Sequence, residues 1–138
     1  MFRQFKSPLL QPALAQAGNV FSPDPRIKAA VVAVPGLAFT FGPGAFQGVH
    51  APVQLWQGER DAVVPYASNG AVVRTGLGAD VDFHPVAGAG HYSFLAPCGL
   101  LAPRVLCSDE GSFDRKAFHA LMDASVVAFF KAVFALGR

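Results

Sequence analysis

The chain has 138 residues, of which 52% are apolar and 14% charged, so it is long enough for one domain and has a great deal of surface to bury. Its net charge of +2 comes from scattered residues with no Lys/Arg run, which excludes the electrostatic footprint of a nucleic-acid-binding surface. From Ala29 to Gly58 there is no Asp, Glu, Lys or Arg, but Pro35, Gly36, Gly42, Pro43, Gly44, Gly48 and Pro52 break the run; it reads as buried strand and apolar loop, and no membrane partner is expected.

Residues 1–24 form an irregular N-terminal segment, with a short helix expected over Pro8–Ala17 and a turn at Ser22-Pro23-Asp24-Pro25. The start is basic, but its apolar stretch is short and interrupted by Pro8, Gln11 and Pro12. It gives no clear secretory signal, and a cytoplasmic location is the expectation from the chain as it begins. Residues 27–34 read as a strand. From Ala29 the run is small and apolar without alternation, the pattern of a strand covered on both faces in a parallel sheet. Residues 37–50 are a Phe- and Gly-rich loop. Its Gly42-Pro43-Gly44 is not a phosphate loop, because no Lys-Ser/Thr follows.

A second strand is expected over 53–57, with Trp56 in the core, and a weak helix from Tyr66 to Leu77 after Pro65. Gly70 and Gly76 lower that helix's intrinsic stability, so it must lean on packing. A third strand is expected over 81–86. The loop from Phe94 to Gly111 follows, carrying Cys98 and Cys107, which are either bonded or free; the missing export signal favours free thiols. The strongest helix signal covers 114–135, capped by Asp114 or Ser112. There Phe118, Leu121, Met122, Ser125, Val126, Phe129, Phe130 and Val133 recur at helical spacing, and this face is expected to be core. Strand and helix alternate, which gives an α/β class with a parallel sheet.

Two ionisable residues follow successive expected strands, each in a Gly-containing turn. Asp61 ends Gly58-Glu59-Arg60-Asp61, and His91 ends Gly88-Ala89-Gly90-His91. Groups just beyond the carboxyl ends of parallel strands share one edge of the sheet, where ligands bind. An acid there can hold an imidazole's tautomer and stabilise its cation, and the histidine can take a proton from a nucleophile. The order acid then histidine is that of α/β-hydrolases. A zinc site from His84, His91, Cys98 and Cys107 is rejected because the spacing fits no finger or knuckle, and no cofactor is expected. His50 and His119 read as surface or helix-face residues.

Several spaced stretches carry a resemblance. Asp24-Pro25-Arg26-Ile27-Lys28-Ala29-Ala30-Val31 looks like the strand before the acid in dienelactone hydrolase-like α/β-hydrolases. Pro52-Val53-Gln54-Leu55-Trp56-Gln57-Gly58-Glu59-Arg60-Asp61, continued by Val64-Pro65 and Asn69, resembles that family's acid turn. Ala87-Gly88-Ala89-Gly90-His91-Tyr92-Ser93-Phe94-Leu95-Ala96-Pro97-Cys98 resembles its histidine loop. Cys107-Ser108-Asp109 and Gly111-Ser112-Phe113-Asp114-Arg115-Lys116-Ala117-Phe118-His119 are similar to its final loop and helix. The resemblance implies that Asp61 is the triad acid and His91 the triad base. It also implies a partial α/β-hydrolase fold, with residues 25–138 as the C-terminal part of the domain. Members of this family are often exported, which keeps a Cys98–Cys107 disulfide open.

The departure from the family is the nucleophile. Ser7, Ser22, Ser93, Ser108, Ser112 and Ser125 lie in no Gly-x-Ser-x-Gly frame; Ser68 has only the trailing Gly and follows the acid. The chain therefore resembles only the acid-and-histidine half, truncated of its serine, and little activity is expected from it alone. The expected substrate, were a nucleophile-bearing half present, is a carboxylic ester or lactone, with Phe39, Phe41, Tyr92 and Phe94 lining an apolar pocket. The expected alternative is a non-catalytic binding module, or self-association through the first strand as an open edge.

Overall fold

The structure is a computed structural model that describes residues 24–99, 103–109 and 111–136. The expected helix at Pro8–Ala17 lies outside the described residues. Three strands, β1 (Ala30–Ala33), β2 (Val53–Gly58) and β3 (Asp82–Val86), form a parallel sheet in the order β1-β2-β3. Ala30 pairs with Val53 and Ala33 with Trp56; on the other side Gln54 pairs with Asp82 and Gly58 with Val86. Helix α1 (Gly70–Leu77) connects β2 to β3. The single turn α2 (Arg104–Cys107) and the long helix α3 (Arg115–Leu136) follow β3.

The sequence explains the central position of β2. Every residue of Val53–Gly58 is buried, two glutamines included. The Gln54 amide donates to Asp82 Oδ2 at 2.8 Å and to Ser125 Oγ at 3.3 Å, and its oxygen accepts from Trp56 Nε1 at 2.9 Å. Pairing of this kind offsets the cost of burying an amide; Gln57 is less well served, donating to Gly58 O and Val64 O at 3.4 Å each while no described residue bonds its Oε1. Trp56 stacks on His84 with ring centroids 4.2 Å apart and meets the edge of Phe118 at 6.2 Å. The buried apolar residues are Ala38, Val53, Leu55, Trp56, Val73, Ala89 and Phe118.

Three expectations are corrected. The first strand begins at Ala30, not at residue 27. Ala30 N donates to the carbonyl of Pro52, and Pro52 has no N–H with which to carry the ladder back toward Lys28. The helix expected from Tyr66 to Leu77 is two pieces. Tyr66–Ser68 is a 3-10 turn, and Asn69 (φ −134°, ψ −77°) breaks it from α1. Asn69 spends its side chain outward: Oδ1 accepts from Ala38 N at 3.2 Å, and Nδ2 donates to Pro65 O and Ser68 Oγ. The glycines of α1 have a packing reason. A Cβ on Gly70 would lie 2.5 Å from Gln57 Oε1, and one on Gly76 would enter the Phe46 ring.

The third correction concerns α3. Asp114 caps it, accepting from Ala117 N at 2.9 Å. Its first turns pack: Phe118 is buried against Phe94, Phe113 and Trp56. The rest of the expected core face is not core. Leu121 is 72% exposed and the other members of the face are only half-buried; Phe134, outside that face, is also exposed. A helix of 22 residues is about 33 Å long, whereas a strand of six residues offers about 20 Å. By length and composition alone Arg115–Ala135 could cross a membrane. Its first turns are tied to the preceding loop by the buried Arg115–Asp109 ion pair and to Trp56 of the sheet by Phe118.

Candidate active site

The loops that leave the carboxyl ends of the strands converge. After β1, Val34 takes φ 43°, unusual for a β-branched residue, while its N–H donates to Trp56 O at 2.9 Å. After β2 and β3, two turns are stitched together: Glu59 N donates to Val86 O at 3.1 Å and Arg60 N to Ala89 O at 3.0 Å. Gly58 permits this approach, because a Cβ there would sit 2.5 Å from the Ala89 carbonyl oxygen. Gly88 turns the second loop with φ 74°.

Asp61 lies at the end of the first turn with its side chain fully buried. Its Oδ1 accepts from Val63 N at 3.0 Å and Val64 N at 2.7 Å, so the turn itself aims the carboxylate. Its other oxygen, Oδ2, lies 2.9 Å from His91 Nδ1. A buried carboxylate accepts there, so Nδ1 carries the proton and Nε2 is left as the basic nitrogen. No described residue bonds His91 Nε2, and the imidazole is one quarter exposed. Tyr92 meets the ring edge-on at 5.5 Å. Such a pair can serve as a base of fixed tautomer, the geometry in which a nucleophile is activated by proton removal.

A second network lies behind His91, which opens a 3-10 turn over His91–Phe94. Gly90 N donates to Ser93 Oγ at 3.0 Å, and Ser93 Oγ donates to Asp109 Oδ1 at 2.7 Å. Asp109 is held by Arg115 through Nε at 2.8 Å and Nη2 at 2.9 Å, a two-pronged pair with both side chains largely buried. Burial raises the Asp109 carboxyl, but the hydrogen bonds from Arg115 and Ser93 and the Arg115 charge outweigh it, and its pKa lies below the ordinary carboxylate value. His119 Nε2 lies 3.0 Å from Ser93 O, so His119 is a half-buried part of this network and not a plain surface residue.

Cys98 and Cys107 are joined in a disulfide, with Cα atoms 5.8 Å apart, where free thiols were the favoured expectation and a bond the open alternative. The four aromatic residues expected to share a pocket have different surroundings. Phe39 is exposed, Phe94 packs on Phe118, and Tyr92 stands by His91. Phe41 joins Phe46 over an open groove against Ala71, Val72 and Thr75 of α1.

No protein-family model, curated protein or solved structure matches the chain.

The site's support was hidden in the sequence. An Arg in the first turn of a helix reads as solvated, and only the fold shows that Arg115 is 7% exposed and paired. Ser93 and Asp109 stand 16 residues apart, across the loop that the disulfide folds back. In the sequence, the only pointer to closure of this loop was what the family resemblance implies for Cys98 and Cys107.

Proposed function

We propose that this chain is the acid-and-histidine portion of a serine ester or lactone hydrolase of the dienelactone hydrolase-like α/β type. The observation that carries the reading is the Asp61–His91 pair at 2.9 Å, mounted on turns after neighbouring parallel strands, with the imidazole one quarter exposed and its Nε2 bonded to no described residue. Asp61 orients and stabilises the imidazole, and His91 takes the proton of a serine hydroxyl as it attacks the acyl carbon. No serine of this chain stands in a nucleophile-elbow frame, so that hydroxyl comes from another segment or chain. The sheet's edges are consistent with such a segment beside β1: β3 carries Pro85, as edge strands do, while among the described residues no charge or proline of β1 (Ala30–Ala33) discourages pairing on its outer side.

A fluorophosphonate probe that labels activated serines tests the assignment of roles. The isolated chain should stay unlabelled under conditions that label a control serine hydrolase, and a labelled serine in this chain overturns the division of roles. Translation of the DNA upstream of the Met1 codon should reveal a strand, a Gly-x-Ser-x-Gly turn and a helix. The outer edge of β1, which no described strand covers, also favours a second reading, a non-catalytic module that takes a partner strand. A monodisperse monomer by light scattering weighs against that second reading.

A further inference from the structure

We infer that the Cys98–Cys107 disulfide sets the orientation of His91 through Arg115, Asp109 and Ser93, so that the site is sensitive to thiol redox state. The inference rests on the reading of His91 as the base. One nitrogen touches both sides of the bond: Arg115 Nη1 donates to Leu106 O, beside Cys107, at 2.9 Å, and lies 3.6 Å from Cys98 Sγ. The other two donors of the same guanidinium fix both oxygens of Asp109. Asp109 then holds Ser93 Oγ, which accepts from the N–H of Gly90, the residue before His91. A guanidinium is a rigid planar fork, so a shift at one prong moves the others. With Arg115 buried, no water is at hand to replace a lost partner.

A dithiol reductant opens the bond, giving two electrons and two protons to the sulfurs and closing to its own cyclic disulfide. Cys98 and Cys107 then separate as thiols, and Nη1 can no longer hold both arms of the loop. Asp109, Ser93 and the 3-10 turn that carries His91 lose their fixed position. The ring then populates other rotamers and tautomers in place of the single one bonded to Asp61.

The experiment uses the chain with 15N-labelled histidine and reads the imidazole nitrogens by NMR. Oxidised chain should show His91 as one tautomer protonated at Nδ1. Reduction with dithiothreitol should shift the His91 nitrogens toward the tautomer average and leave His50 and His84 in place. Ser93→Ala, with the disulfide intact, should shift His91 the same way, and reduction of that variant should add nothing more. An unmoved His91 in fully reduced chain overturns the inference, as do additive shifts. Should the reduced chain unfold, Ser93→Ala alone decides: an unmoved His91 there overturns the relay. Asp61→Asn separates the two readings, because an unmoved His91 in that variant removes the acid–histidine pair itself, whatever reduction does.

Discussion

Asp61 carries three hydrogen bonds on two oxygens with no exposure to water. Asp61→Ala strips two backbone N–H groups and an imidazole of their acceptor. It should cost about 1–3 kcal/mol, read as a lower urea midpoint, and it should release the His91 tautomer. Asp109 sets an acid limit. Its carboxyl titrates below the ordinary value in the folded chain, so the unfolded chain takes up the proton more readily. The stability it contributes is complete above the ordinary carboxylate pKa and is lost as pH falls through the folded value. Asp82 acts in the same direction: burial raises its pKa, but hydrogen bonds from Gln54 and His84 and the His84 charge leave it lowered. Urea midpoints measured from about pH 5 down to about pH 2.5 should therefore fall less in Asp109→Asn than in the parent chain. The Asp61–His91 pair was legible at this scale because each residue ends a Gly-containing turn after an apolar run. The Arg115 fork was not, because burial of a charge is decided by the fold.

At the scale of elements, two glycines separate local preference from packing. Alanine is the better helix former by about 1 kcal/mol, yet Gly76→Ala should destabilise the chain, because its Cβ would drive into the Phe46 ring. A melting temperature that rises in this variant contradicts the packing of the Phe-rich loop on α1. Gly58→Ala should act on the site, because its Cβ meets a backbone oxygen of the histidine loop and not a movable side chain. The expected result is a disturbed His91 imidazole signal even where the chain stays folded. The strands and the start of α3 were readable from apolar runs and an Asp cap. The break at Asn69 was not, since it follows from a side chain bonded to Ala38, 31 residues away. The exposed end of α3 was not either: periodicity marks an apolar face but says nothing of whether a neighbour exists to cover it.

For the whole molecule, the two edges of the sheet differ. Val31→Lys places a charge on β1, the remedy natural edges use against pairing, and should reduce association seen by light scattering. An unchanged particle size, where the parent chain associates, means that contacts form elsewhere, with the exposed face of α3 the next suspect. The α/β class and the parallel order follow from alternation of strand and helix, whereas the unequal edges emerge only once the strand order is known.

That inequality fixes how far such assembly can run. A sheet with two receptive margins can add copies without end, as a fibre does. Among the described residues this one has a single receptive margin, because Pro85 interrupts the donor row of the other. Two copies that meet margin to margin through β1 would be related by a twofold axis, with the Pro85 strands outermost. Such a pair leaves nothing further to extend, so growth by this route stops at two.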